Sequence, residues 1–170
     1  MSGPAPTERR SRLRQYQVQL LERMQAAKTG ATDSGRELGV SIGGRLCLLD
    51  LTQISEIVPL QAATPVPLTQ DWYLGLTNIR GNLTGVIDLA RYRRYGGGGA
   101  SPAERRLISF APGLGFNCAL LVERVLGLRK LADMEAVAGD EFRDSEGQSW
   151  LRIDLAQLVR EPRFVQVGLV

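Results

Sequence analysis

The sequence contains no histidine. That removes the Ser-His-Asp and Cys-His forms of nucleophilic catalysis, the side chain that most often moves protons near neutral pH, histidine-ligated zinc, and any role as a phosphohistidine carrier. Cysteine is scarce, with Cys47 and Cys118 each set in an apolar, strand-like segment. With no secretory signal beside them, they read as small core residues kept reduced and not as a disulfide. Lysine occurs only as Lys28 and Lys130, and neither follows a glycine-rich loop in the order that cradles phosphates. No apolar run approaches the ~20 residues of a membrane-spanning helix, and the start of the chain lacks the basic-then-apolar plan of a signal peptide. The expectation is a cytosolic chain with no cofactor, no metal and no catalytic residue.

The charge that is present is unevenly placed. The chain holds 21 basic and 18 acidic side chains, net +3, with a pI near 9.2. Residues 1–30 carry six basic side chains against Glu8 and Glu22, whereas residues 31–170 carry 15 basic and 16 acidic. The globular part is therefore not basic, and with no helix-turn-helix, RNP or zinc-finger pattern, nucleic acid is not an expected partner. From Thr7 to about Lys28 the apolar residues Leu13, Tyr16, Leu20, Leu21 and Met24 fall at helical spacing. This amphipathic helix either docks weakly on a membrane surface or a partner, or packs its apolar stripe on its own domain. Residues 29–34, small and polar, form a linker.

At Arg36 the pattern changes to short strands. Residues 38–42 and 45–49 flank a turn at Gly43-Gly44, and residues 54–60 follow, with Glu56 sharing a face with Ile54 and Val58. A carboxylate on an apolar strand face is costly unless it is paired, so Glu56 is either exposed at a binding surface or bonded to a cation. After an extended connection over 61–70, residues 74–79 and 83–87 form a hairpin hinged at Gly81-Asn82, where glycine supplies the positive φ. Asp88 then caps a short helix. The glycines at 96–99 with Ser101-Pro102 read as a linker. Residues 106–111 and 116–122 continue the strand pattern, extending to 131. The acidic stretch 131–143 reads as a solvated loop, since it lacks the alternating register of an EF-hand. The alternating tail 164–167 is expected to add an edge strand or to lie on a neighbour.

The strand unit occurs twice. An offset of 66 places Ile87-Asp88-Leu89-Ala90 on Ile153-Asp154-Leu155-Ala156, and an offset of 71 places Gly44, Cys47 and Leu49 on Gly115, Cys118 and Leu120. Such self-similarity at a long period implies paired subdomains and not a solenoid. Asp88 and Asp154 could be read as a catalytic carboxylate pair, but as repeat equivalents at helix starts they are better explained as caps.

The segment Leu74-Gly75-Leu76-Thr77-Asn78-Ile79-Arg80-Gly81, followed by Val86-Ile87-Asp88-Leu89, resembles the signature of the chemotaxis coupling proteins, the CheW family. The similarity runs over about 36–159. It implies a mainly β fold of two SH3-like, five-stranded β-barrel subdomains around a shared seam, with short helices and the N-terminal amphipathic helix. The organisation is then a tail, helix and linker at 1–35, a CheW-like domain at 36–160 (subdomains 36–95 and 105–160, linker 96–104), and a tail at 161–170. The implied function is non-enzymatic. Such a protein bridges the cytoplasmic tip of a chemoreceptor and the regulatory domain of a CheA-type histidine kinase, at receptor arrays on the inner face of the inner membrane. The N-terminal extension and the Trp150 hairpin look most like the form associated with twitching motility by type IV pili. The matched motif positions imply that Arg80 pairs with Glu56 or with partner carboxylates. Asn78 and Gly81 belong to the same docking site, and Ile57, Val58, Leu83 and Val86 are expected to give apolar contact. Asn82 and Gly85 stand where many relatives carry an acidic residue and a proline.

Overall fold

The computed structural model describes residues 35–96 and 100–168. The expected helix over 7–28 and residues 97–99 of the glycine run lie outside them. Strands β1 (Arg36–Ile42) and β2 (Arg45–Asp50) form a hairpin, and β3 (Ile54–Pro59) follows. The central hairpin is β4 (Tyr73–Ile79) and β5 (Asn82–Ile87), leading into helix α1 (Leu89–Tyr92). The second half supplies β6 (Arg106–Phe110), β7 (Cys118–Val122), β8 (Arg124–Lys130), β9 (Glu135–Ala138), β10 (Glu141–Arg143) and β11 (Ser149–Ile153). Helices α2 (Leu155–Leu158) and α3 (Pro162–Val165) close the described chain.

The repeat is visible in backbone geometry. Gly44 and Gly115 are both left-handed, at φ 76° and 72°, and so are Gly81 and Gly147, at 85° and 81°. Asp88 accepts from the Arg91 amide, and Asp154 from those of Ala156 and Gln157, so both carboxylates are caps.

The halves do not fold into separate sheets. A six-stranded sheet runs β8-β1-β2-β11-β10-β9, and a five-stranded sheet runs β3-β6-β7-β5-β4. Each half lends its first two strands to the other: β2 pairs in parallel with β11, and β7 with β5. Two SH3-like, five-stranded β-barrel subdomains were expected. The sheets instead have six and five strands, and neither hydrogen-bonds its two edges together. Two of the six strands, β9 and β10, come from the acidic stretch expected as a loop, where Gly139 at φ 56° reverses the chain between them. Phe142 then sits opposite Trp150 in β11, an aromatic pair that favours strand over loop.

The core draws on both sheets, from Leu38, Val40 and Trp150 in one to Ile57, Ile87 and Leu120 in the other. Cys47 and Cys118 are buried and free, as read from the sequence. Burial pushes the Cys47 thiol up to about 12 and raises that of Cys118 as well. Native protein should therefore leave both thiols unmodified by a thiolate-selective reagent near neutral pH, and urea should expose two. Titration of a thiol in the native state would contradict this burial.

The tail differs from its expected strand. Pro162 presets the first turn of a helix, α3, and Phe164 turns fully inward. Its ring lies among Trp72, Tyr92, Phe110 and Phe116, with centroids 5.3 to 6.4 Å away.

Candidate protein-docking site

The turn between β4 and β5 is one residue earlier than the sequence suggested. Ile79 pairs with Asn82, leaving Arg80 and Gly81 as a two-residue loop with φ of 50° and 85°. Two positive φ values in sequence make a type I′ turn, whose twist matches the flanking strands. Asn78 fixes it by accepting a hydrogen bond from the Gly81 amide at 2.7 Å through its Oδ1. Arginine is an expensive choice for the first left-handed position, where glycine, asparagine or aspartate is usual.

Arg80 reaches Glu56, with its Nε 3.2 Å from Oε2. At Oε2 the contact is one of charge, since that buried oxygen has no hydrogen-bond partner. The arginine side chain is 62% exposed and the carboxylate 30%. Glu56 lies on β3 and Arg80 at the tip of β4, the two edges of the five-stranded sheet. In a flat sheet those edges would be about 19 Å apart. The contact therefore requires the sheet to curl until its edges nearly meet, and the ion pair bridges the gap. Val58, Ile79, Val86, Leu107 and Ala119 pack together as a buried cluster.

Glu56 is aimed by an irregularity that alternation does not reveal. Ile54 pairs with Phe110 and Ile57 with Ile108, so β3 carries one residue more than β6 between those points, a β-bulge. Ser109 clips it, its hydroxyl oxygen accepting from the Glu56 amide at 2.9 Å. The bulge breaks the expected face of Ile54, Glu56 and Val58 and buries Ile57 and Val58 in succession. Of the expected apolar contacts, Ile57, Val58 and Val86 are 0%, 7% and 2% exposed, and Val58 and Val86 pack with Ile79 of the hairpin. Leu83 is 61% exposed and stands opposite the exposed Asn78. The accessible part of the site is thus Asn78, Arg80, Gly81 and Leu83, with Glu56 behind them.

Beside the ion pair opens a cleft of about 400 Å³, lined by Glu56, Asn82, Thr84, Ser109, Phe116 and Asn117 among others. Asn117 ties its far wall to the hairpin, donating from Nδ2 to the Leu83 carbonyl while its own carbonyl accepts from the Gly85 amide. Sequence reading missed Ser109 and Asn117. A lone polar residue in a strand reads as solvent-facing, and only the Gly44–Gly115 equivalence marked this loop. Among the described residues no group of three or more cysteine, aspartate or glutamate side chains is placed to hold a metal ion.

Two sheets that exchange strands, with an ion-paired hairpin exposed at one end, define the class: a mainly β domain of two interleaved halves. The chain belongs to the CheW family, its residues 37–163 matching the CheW-like domain. It is similar to Protein PilI of Pseudomonas aeruginosa, 26% identical over 104 residues, which cover 61% of this chain and 57% of that protein. The match thus spans little more than half the length of that relative. It also resembles the crystal structure of the scaffolding protein TtCheW from Thermoanaerobacter tengcongensis, with a TM-score of 0.62 and 22% identity over 78% of this chain and 97% of that one. At that identity the second likeness speaks to the fold alone.

Proposed function

We propose that this protein is a non-enzymatic signalling adaptor. It couples the cytoplasmic tip of a methyl-accepting chemoreceptor to the regulatory domain of a CheA-type histidine kinase, in the control of type IV pilus twitching motility. The observation that carries the reading is the Arg80–Glu56 ion pair at an exposed, left-handed hairpin tip within a CheW-like domain. A strained arginine held by a carboxylate from the opposite sheet edge is a pre-organised contact, and interfaces draw most of their energy from a few such residues. The similarity to PilI supports the pilus branch of the function. At work the protein sits at receptor arrays on the inner face of the inner membrane.

The test is a titration with the regulatory domain of the cognate CheA-type kinase and, separately, with a receptor tip fragment. Arg80→Ala is expected to weaken binding to at least one of them by about tenfold or more, since it removes a guanidinium at the contact centre. Glu56→Ala should weaken it less, because it loosens the arginine without removing it. Unchanged binding of folded Arg80→Ala to both partners would dismiss the hairpin as the docking site. If binding disappears only when residues 1–30 are deleted, the basic N-terminal segment is the docking element, and vesicle binding would then make the protein a membrane-surface adaptor.

A further inference from the structure

The repeat that relates the two halves also relates two clefts. At the seam of β5 and β7, Gly85 stands beside Cys118 and Ile87 beside Leu120; at that of β2 and β11, Leu151 stands beside Cys47 and Ile153 beside Leu49. At the offsets of 66 and 71 the two parallel pairs are equivalent residue for residue. Each seam opens into a cleft where it begins. The cleft beside Glu56 is bordered there by Thr84, Gly115, Phe116 and Asn117. Its counterpart, of about 430 Å³, is bordered by Trp150, Gly44, Arg45 and Leu46, the same four positions of the repeat, with Glu141, Ser149 and Leu151 completing the lining. The edge strands agree as well. Between Val125 and Gly127, β8 carries one residue more than β1, the same bulge that β3 makes against β6.

The hairpin beside this second cleft follows the plan of the first with its charge reversed. Asp144 stands where Asn78 does and fixes its own turn, Oδ1 accepting from the Glu146 and Gln148 amides at 2.9 Å, and Gly147 matches Gly81. Glu146 takes the place of Arg80, and Gly127 that of Glu56. Arg143 stands in register opposite Glu135, and the charge of Arg129 acts on Asp144. Asp140, Glu141 and Glu146 remain, and among the described residues none of the three forms an ion pair.

Within the cleft Glu141 stands opposite Leu151 on β11. The other charged residue of the lining, Arg45, has its guanidinium over Tyr95, 4.6 Å from the ring centre. Trp150 stiffens the wall, its indole donating to Asp144 at 2.9 Å and lying 4.9 Å from the Arg129 guanidinium.

We infer that this second cleft is also a docking surface, and that it takes a lysine or arginine side chain from a basic segment of a protein partner. The alkyl stem lies against Leu46 and Leu151, the cationic head meets Glu141, and Asp140 and Glu146 draw the segment in. Nucleic acid and anionic lipid are repelled by the same charge. Among the described residues no three carboxylates converge to hold a metal ion in place of such a side chain. The equivalence rests on the reading of the Arg80 hairpin as the first docking surface, and the reversed charge keeps either end from taking the other's partner segment.

The experiment uses the full chain and a fluorescein-labelled hexalysine peptide, followed by anisotropy. Wild type should bind saturably. Glu141→Gln should weaken binding by roughly threefold to tenfold, and Glu141→Gln with Glu146→Gln by more. Leu46→Ala keeps every charge and should weaken binding by about threefold through lost contact with the stem. Asp71→Asn with Glu104→Gln removes two carboxylates elsewhere and should leave affinity unchanged. Glu141→Gln should also keep the wild-type unfolding midpoint, so that its loss of binding is not a loss of fold. Wild-type affinity in the Glu141 and Glu146 double variant would overturn the inference. So would equal weakening by Asp71→Asn with Glu104→Gln, which would make the peptide a reporter of net charge alone. Unchanged affinity in Leu46→Ala would place the peptide on the hairpin charges and not in the cleft, and would overturn it too. Neither a kinase domain nor a receptor fragment enters the test, so its failure is distinguishable from failure of the Arg80 hairpin reading.

Discussion

Phe164→Ala is expected to lower stability by about 3–5 kcal/mol, the usual cost of emptying a fully buried aromatic site. That corresponds to a fall in the unfolding midpoint of roughly 10 °C for a domain of this size. The ring is 0% exposed and stacks on Trp72 with centroids 5.6 Å apart and on Phe110 at 6.4 Å, while Tyr92 meets it edge-on at 5.5 Å. The short helix that carries it is strapped down at both ends. Tyr92 donates its hydroxyl to Glu161 and accepts through its carbonyl from Arg163, each at 2.7 Å, and further on the Gln70 amide donates to the Val167 carbonyl at 2.8 Å. Urea unfolding followed by tryptophan fluorescence gives the measurement, because Trp72 is a stacking partner and reports directly on the void. Phe164→Leu should recover more than half of the loss. A loss below about 1 kcal/mol would mean that the neighbouring rings collapse into the site or that the tail leaves it in solution. Phe110 and Phe116 also line the cleft beside Glu56, so the same substitution should loosen the hairpin surface.

The legibility of this fold in its sequence has a clear physical boundary. Features set by residues close along the chain could be read: the central hairpin, the caps at Asp88 and Asp154, the buried thiols, and the repeat that relates the two halves. Features set by distant partners could not. Alternation marks β1 and β2 as strands, but nothing local says that they join the second half's sheet. The β3 bulge depends on Ser109, 53 residues away, and it decides which of Ile57, Val58 and Glu56 face inward. The tail misled for a related reason. Its alternating Phe164-Val165-Gln166-Val167 fits an exposed edge strand, but Pro162 and a waiting aromatic cage favour a helical turn that buries one ring completely. The Arg80–Glu56 pairing was legible through the family motif, whereas Ile57, Val58 and Val86 beside it are buried and Leu83 is exposed, because no motif states which way a side chain points.

The largest electrostatic effect should follow Arg152→Met, expected to cost about 3–5 kcal/mol near neutral pH by stranding a buried charge. Arg152 on β11 donates through Nε to Glu37 on β1, and its terminal nitrogen lies 3.4 Å from Asp50 on β2, joining three strands of the six-stranded sheet. Glu37 is 1% exposed, so it has no access to water once the guanidinium is gone. Burial already raises the Glu37 pKa above its ordinary 4.5, against the hydrogen bond and charge of Arg152, which lower it. The sign of the pH dependence follows. A carboxyl whose pKa is higher in the folded state binds its proton more tightly there than when unfolded, so its contribution to stability falls as pH rises from the unfolded value to the folded one. In the wild type that window is narrowed by Arg152. In Arg152→Met the opposing attraction is removed, the folded pKa climbs further, and the loss of stability extends toward neutral pH. Urea unfolding near pH 5 and near pH 8 should therefore show the variant recovering part of its deficit at the acidic end, where more of Glu37 is protonated in the fold. Adding Glu37→Gln to Arg152→Met should abolish that recovery by making the variant equally stable at both pH values, since no charge remains to strand. An equal deficit at both pH values in Arg152→Met alone would assign the cost to lost packing of the arginine stem and not to the buried carboxylate.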